Sequence, residues 1–476
     1  MSTDPSLAAQ PIADAVTRPG ESIVNVPPRG RAGWLSLAGL GVAYVIAGLY
    51  AVWNYGIAAG GWGGMFAAVA IVAVLYFCLI FSLAELATIV PTAGGGYGFA
   101  RRALGPLAGY VVGIVFLVEY TVVLGVLAVF FGAYFRELTG IGGTGITLAL
   151  YAAALGLHIV KSEESLSVTF VLALIAAAGL AVFVLAASPS FSVRHLLDLP
   201  VQPVAGASAL LPFGVGGLWR AMPYATAMFL GIEGIPFAAE EARDPKRDLP
   251  RGMIAAILAL FVISLSILVV GPGSAGAARF AASPDPIAAT LAHTPATAGW
   301  VRGLVSLAGL TSIAGAFFAV MFAASRQLFA LARAGYLPRF LAKTHRGRSP
   351  YAALLAIGAI ALPLSLVGDA SRLVVISFAC AALAYLLLTA SHIALRLREP
   401  ALPRPFATPG GAITSGIAFA LSFIVLAVSL SLDVHETLTA GAIVAAFVAY
   451  FWLYSRHHVD PDAPEEAGLD RSTPHP

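Results

Sequence analysis

The stretch FLGIEGIPFAAEE, residues 229–241, lies in an apolar run yet carries residues that a membrane-spanning helix normally avoids. Gly231 and Gly234 disfavour continuous helix, Pro236 removes a backbone donor, and Glu233 brings a carboxyl group to mid-span. A second interrupted stretch, YVIAGLYAVWNYGIAAGG, covers residues 44–61 and holds Gly48, Gly56 and Gly60. With the apolar runs numbered in chain order, the interruptions fall in spans 1 and 6. Those are matching positions in consecutive groups of five, the pattern of an inverted repeat with substrate held at mid-membrane between two discontinuous helices. Glycine alone also serves close helix packing. The matched pair, with an acid in one break, is the stronger sign.

The rest of the chain agrees with a bilayer. It has 476 residues, 59% hydrophobic and 11% charged, and a mean hydropathy of +0.88. A soluble domain is about a quarter charged, so this much apolar surface has no place in a water-soluble globule. Apolar runs occur near 34–59, 65–89, 106–134, 146–160, 168–187, 221–239, 253–271, 304–325, 351–367, 373–395, 412–432 and 438–454. Most are long enough to cross the hydrocarbon as helices, giving about twelve spans. The expected organisation is an N-terminal tail (1–33), a first repeat (34–187) and an outer loop (188–220). A second repeat (221–397), two further spans (398–458) and a C-terminal tail (459–476) follow. Of 27 Lys and Arg, only Arg136, Arg194, Arg220, Arg279, Arg302 and Arg372 fall on one side, leaving 21 on the side of the two ends. That asymmetry places both ends in the cytoplasm. The net charge of +3 comes from short loops, and no nucleic-acid surface follows from it. Cys78 and Cys380 lie in apolar runs and read as small core residues, with no metal or disulfide pattern.

Glu85, Glu119 and Glu233 are the acids within spans, and no Lys or Arg accompanies them. An intramembrane carboxylate is costly and marks function by default. An acid-only interior suits a cation or a proton. Glu85, one turn from the end of span 2, reads as an anchor for the loop that follows; Glu119 and Glu233 are the candidates for substrate and proton chemistry. Half-helix C-termini expose carbonyls that favour cations. The carbonyls of Phe229 to Ile232, beside Glu233, would suit an ammonium group. His158 and His392 sit near span ends and read as interfacial residues. The run PTAGGGYGFARR, residues 91–102, resembles neither an ion filter nor a phosphate loop in its setting. It falls in the cytoplasmic connection between spans 2 and 3, where Gly94, Gly95 and Gly96 allow a tight turn. Arg101 and Arg102 are expected to pin it to lipid or to acids such as Glu240 and Glu241.

AELATIVPTAGGGYGFARRALGPLAGY (84–110) resembles the span 2–3 region of the amino acid–polyamine–organocation transporter superfamily. FLGIEGIPFAAEEARDPKRDLPRG (229–252) and SRQLFALARAGYLPRFLAKTH (325–345) are similar to its ethanolamine permease branch. With YAVWNYGIAAGGWGG (50–64), the resemblance covers about residues 34 to 400. It implies an all-α, leucine-transporter-like membrane fold, five plus five helices with two more at the C-terminus. It also implies secondary active transport, often with protons, of small amines or amino acids. The span 1 break of amino-acid-transporting relatives is a Gly-small-Gly run that binds a carboxylate. Here it reads Ile46-Ala47-Gly48-Leu49-Tyr50, which favours an amine such as ethanolamine. Leu49 and Phe318-Ala319 depart from the ethanolamine branch toward a more apolar pocket, leaving room for a more hydrophobic amine or amino acid.

The expected substrate site is therefore Ala47, Gly48, Leu49, Tyr50, Glu119, Tyr120, Phe229, Gly231, Ile232, Glu233 and Gly234. Proton coupling falls to Glu119 and Glu233. Thr311 and Ser312 in span 8 offer a possible sodium site, with simple backbone bonding as the alternative. Glu85, Gly94, Gly95, Gly96, Arg101 and Arg102 form the expected inner gate. No cofactor, metal ligand set, nucleophile elbow or P-loop is present in the sequence, which argues against an enzyme or an ATP-driven pump. The competing class is an ion or ammonium channel. The expected partners are the small amine or amino acid, a co-transported proton or sodium, and membrane lipid. The expected home is the cell membrane, a bacterial inner membrane, with several passes.

Overall fold

The structure is a computed structural model and describes residues 30–466 apart from 51, 93, 161, 283–285, 295–298, 346–348, 368, 462 and 465. Most of both expected tails lies outside the described residues, as do Arg18, Arg29, Lys161, Arg346, Arg348 and Arg471 of the charge asymmetry. The described chain is helical and holds no β-strand; isolated bridges join Ala32 to Ala242 and His345 to Ser349. In order, the helices are α1 (Trp34–Tyr50), α2 (Trp53–Ile89), α3 (Gly96–Leu104), α4 (Pro106–Thr139), α5 (Thr144–Val160), α6 (Ser162–Ala187), α7 (Val193–Leu196) and α8 (Gly214–Ala227). A 3₁₀ segment (Ile232–Glu241) follows. Then come α9 (Pro245–Ala275), α10 (Ala277–Ala282), α11 (Pro286–Ala292), α12 (Gly299–Arg333), α13 (Tyr351–Val367), α14 (Ala370–Arg398), α15 (Ala412–Leu432) and α16 (Val434–Leu453). Among the described residues, eight helices are long and apolar enough to cross a membrane, and α1, α5 and α13 are shorter apolar helices. Helix is what such a chain requires, because lipid offers no partner to an unpaired backbone group.

Both interrupted spans are interrupted, at places that differ from the sequence reading in one case. Span 1 was expected to break across Ile46 to Tyr50, but α1 stays helical through Tyr50. The turn comes at Val52, whose φ of +76° is the only left-handed value outside glycine among the described residues. The helix restarts at Trp53, and Gly61, with φ +74° and ψ 170°, bends the chain from the second half of span 1 into span 2. Gly48 is therefore not the hinge. A Cβ there would lie 2.4 Å from the carbonyl oxygen of Ala227, so it is the point where the first half of span 1 crosses the end of α8. Span 6 stops at Ala227, and Gly231 at φ +101° starts the 3₁₀ segment.

The two ends of the described chain share one face, called the tail face below. Ala32 donates to the Glu241 carbonyl at 3.0 Å and accepts from the Arg243 N–H at 2.9 Å. On that face Arg326 pairs with Glu241, and Arg333 with Glu240 at 2.8 Å. The expectation that Arg101 and Arg102 reach those acids is corrected. Arg101 pairs with Glu466 at 2.6 Å and Arg102 with Glu399 at 2.6 Å, because α12 has already brought its own arginines to the end of span 6.

Candidate functional site

Glu119 on α4 and Glu233 on the 3₁₀ segment are both buried, and their carboxyl groups lie close enough to interact electrostatically. Glu233 sits two residues into its half-helix and takes the Gly231 N–H onto its carboxylate, at 3.1 and 3.2 Å to the two oxygens. It thus occupies the place where a helix N-terminus would attract an anion. The polar neighbour of the Glu119 carboxyl group is the Glu233 carboxyl group. Two buried carboxylates side by side are expensive and call for a cation or a proton.

Four tyrosines enclose the two acids. Tyr44 from α1, Tyr76 from α2, Tyr120 from α4 and Tyr385 from α14 each interact with Glu233, and all but Tyr44 also with Glu119. The Tyr76 and Tyr385 hydroxyls lie 3.1 Å apart. Phe229 packs on Tyr76 with ring centroids 5.5 Å apart, and Phe237 meets Tyr120 edge-on at 5.8 Å. Tyr44 fits over the break because Gly231 and Gly234 have no side chain: a Cβ on them would lie 3.2 and 2.9 Å from its atoms. The glycines thus let the Tyr44 ring approach the break that carries Glu233.

Tyr44 also lines a cavity of about 90 Å³, beside Ala47, Gly48, Leu230 and Phe378. Its walls are mostly valine, leucine and phenylalanine, with Ser377 as the other hydroxyl. Val52, Phe130, Val374 and Phe378 are shared with a larger recess of about 510 Å³ that reaches Asp433 at the face opposite the tail face. The cavity thus adjoins a recess toward the far face, and ion pairs tie the helices together at the tail face.

The structure brings Ala47, Gly48, Glu119, Tyr120, Phe229, Gly231, Ile232, Glu233 and Gly234 to this region. It takes Tyr50 elsewhere: its hydroxyl donates to the Ala176 carbonyl on α6 at 2.7 Å. Leu49 is buried but is not one of the cavity's walls. Thr311 and Ser312 donate to the carbonyls of Ala308 and Gly309, at 2.8 and 2.6 Å, within their own helix. Glu85 lies apart. It accepts from Arg396 at 2.9 and 2.5 Å, from Arg404 at 2.8 Å and from the Thr408 N–H at 2.7 Å, with His392 at 3.1 Å. His158 and His392, expected at the interface, are buried instead. His158 lies 3.0 Å from the Phe318 carbonyl of α12 and His392 2.6 Å from the Ser415 hydroxyl of α15, because neighbouring helices pack over them. Sequence reasoning missed Tyr44, Tyr76 and Tyr385. The available signal was tyrosine at mid-span, since membrane tyrosines otherwise gather at the interfaces.

In this multi-helix membrane protein the two broken helices meet at a buried acid pair, and Tyr44 beside that pair also lines an apolar cavity. The sequence profile of the amino acid permease family matches residues 33–454, and the chain belongs to that family. It is similar to the branched-chain amino acid permease BcaP of Bacillus subtilis (strain 168), 25% identical over 437 residues, covering 89% of this chain and 92% of the relative. An uncharacterised transporter of Rhizobium meliloti (strain 1021) is 28% identical over 372 residues, covering 76% and 78%. The methylthioribose transporter of B. subtilis (strain 168) is 24% identical over 398 residues, covering 79% and 83%. These relatives are transporters, not enzymes.

Proposed function

We propose that the chain imports a small amine, such as ethanolamine, together with protons, by alternating access around the acid pair. The observation that carries the reading is the pair of buried carboxyl groups, Glu119 beside Glu233. An ammonium group together with one proton would neutralise the two carboxylates, and the tyrosines would face the ammonium with ring and hydroxyl. Glu233 already satisfies the Gly231 N–H, so a substrate carboxylate has less to gain there. In this reading Ala47, Gly48, Phe229, Gly231, Ile232 and Gly234 shape the substrate site, with Leu49, Tyr50 and Tyr120 supporting it, and Glu119 and Glu233 carry the proton. Thr311 and Ser312 remain the place for sodium, should the coupling ion be sodium. Glu85, Gly94, Gly95, Gly96, Arg101 and Arg102 belong to the inner gate. The tail face is cytoplasmic, in keeping with its excess of Lys and Arg. Spans 1–5 (34–187) and 6–10 (221–397) are the two halves of an inverted repeat in the cell membrane.

The second reading is an amino acid permease, with protons or sodium. Two observations favour it: the apolar cavity walls, and the uncapped start of α2, where no side chain satisfies the first N–H groups. Those groups, with the helix dipole, would take a carboxylate. The relative named for branched-chain amino acids points the same way.

Liposomes holding the protein, given labelled ethanolamine or leucine under an inward proton gradient, test both. Accumulation of ethanolamine that collapses with an uncoupler supports the first reading, and leucine uptake alone supports the second. Glu233→Gln should abolish uptake or its pH dependence while the protein remains folded. No uptake of any amine or amino acid would sink the proposal.

A further inference from the structure

We propose that the described residues after α16, with Ser455, Asp460 and Glu466 as the anchors, form a strap that holds the tail face shut, so that opening toward that face requires Glu466 to leave its seat. The proposal rests on the permease reading. The sequence reads as a C-terminal tail from about Val459, and Ser455, Asp460 and Glu466 are tied to the helix bundle. The Ser455 hydroxyl donates to the Tyr336 carbonyl at 2.7 Å. The Asp460 N–H donates to the Ala334 carbonyl at 2.9 Å, and its carboxylate pairs with Arg339 at 3.0 Å. Glu466 is 4% exposed and accepts from Arg101 at 2.6 Å and from the Tyr97 hydroxyl. The loop after α12 is shaped to receive this segment. Gly335 takes φ +86°, and a Cβ there would lie 2.0 Å from the His458 carbonyl oxygen, so only glycine fits. Burial, with the Glu466 charge beside it, pushes the Tyr336 phenol well above its ordinary pKa and keeps it neutral.

What the strap grips is the helix that carries Gly-Tyr-Gly. At its start, Gly95 lies against Phe237, whose ring a Cβ would meet at 3.1 Å, and Phe237 packs on Tyr120 beside the acid pair. At its middle, Tyr97 and Arg101 are held by Glu466. So α3 is clamped between the span 6 break and the strap. A line of polar groups runs the same way. The Gln327 amide is buried without a hydrogen-bond partner among the described residues, and Gly113, on α4 between Glu119 and Tyr110, lies against it. The rings of Tyr110 and Tyr336 are 5.6 Å apart, and their hydroxyls interact with Ser455 and Glu466 of the strap. Buried polar groups are normally satisfied, so the strap caps the end of that line.

The test uses full-length protein in nanodiscs, with Cys78 and Cys380 changed to serine and Thr92→Cys added. Thr92 is fully buried, and its hydroxyl lies where a Cβ on Gly98 of α3 would be 3.0 Å away, so its exposure reports undocking of α3. Glu466→Gln should speed labelling of that cysteine by an impermeant maleimide by about tenfold, within the range of typical coupling energies. Asp460→Asn, at the exposed anchor, should speed it less. Labelling of Glu466→Gln at the parent rate, with an unchanged elution profile, would overturn the strap. Should that variant fail to fold, Asp460→Asn decides, and the parent rate again overturns it. Labelled-amine uptake by the same proteins is scored separately. Its absence in all of them counts against the permease reading and leaves the labelling result to judge the strap.

Discussion

Replacing Gly48 by alanine puts one methyl group where the two broken spans cross. The new Cβ would sit 2.4 Å from the Ala227 carbonyl oxygen, against 3.4 Å for ordinary van der Waals contact. The obstacle is backbone, which cannot swing aside as a side chain would, so α1 and α8 must separate by nearly 1 Å. Overpacking of this kind costs about 1–3 kcal/mol, which is about 5- to 150-fold in an equilibrium. The strain falls on the wall of the cavity that Gly48, Ala47 and Tyr44 share. A 1 Å misplacement at a binding site costs up to about 100-fold in turnover, so uptake should fall by about tenfold or more while the helices remain intact. The comparison is Gly132→Ala, in α4, where a Cβ meets nothing within 4 Å. Both variants are reconstituted at equal protein density, and initial uptake and ligand-induced thermal shift are recorded. Wild-type uptake and an unchanged ligand shift in Gly48→Ala would refute the crossing as drawn.

Tyr385→Phe removes the hydroxyl 3.1 Å from that of Tyr76 and should weaken substrate binding by about fivefold, the value of one hydrogen bond of about 1 kcal/mol; a ligand-induced thermal-shift titration measures it, and an unchanged midpoint counts against the tyrosine frame. Glu85→Gln strips a buried carboxylate of its role between Arg396 and Arg404 and should cost on the order of 3 kcal/mol of stability. Thermal unfolding without ligand checks it, and the loss should appear whether or not substrate is bound. The apolar cavity predicts that amines lengthened by one methylene compete better for uptake, by about 0.8 kcal/mol or fourfold per group until the 90 Å³ are filled. Potency that falls from the first added carbon would show that the cavity does not hold the substrate's body.

Much of this protein is readable from its residues one stretch at a time. Apolar runs of sufficient length can only be helices in lipid, and Gly231, Glu233, Gly234 and Pro236 announce an interruption because each acts on its own backbone. Glu119 and Glu233 were legible for the same reason: a carboxyl group in an apolar run is conspicuous without knowledge of its neighbours. What depends on distance across the bundle was not legible. Gly48 looks like a hinge in sequence, but its role is set by Ala227 on another helix, and the turn falls at Val52 instead. The partners of Arg101 and Arg102 were misread because charge alone does not say which of several acids a helix end will reach. Tyr44, Tyr76 and Tyr385 come from three helices, and only packing turns three unremarkable phenols into one frame around two acids. The C-terminal stretch read as a tail because its composition is polar, whereas Glu466 is buried by Tyr97 and Arg101, residues more than 350 positions earlier. Local chemistry thus determined where the helices run and where they break, and tertiary packing decided which groups face each other, because those contacts join residues that share no sequence neighbourhood.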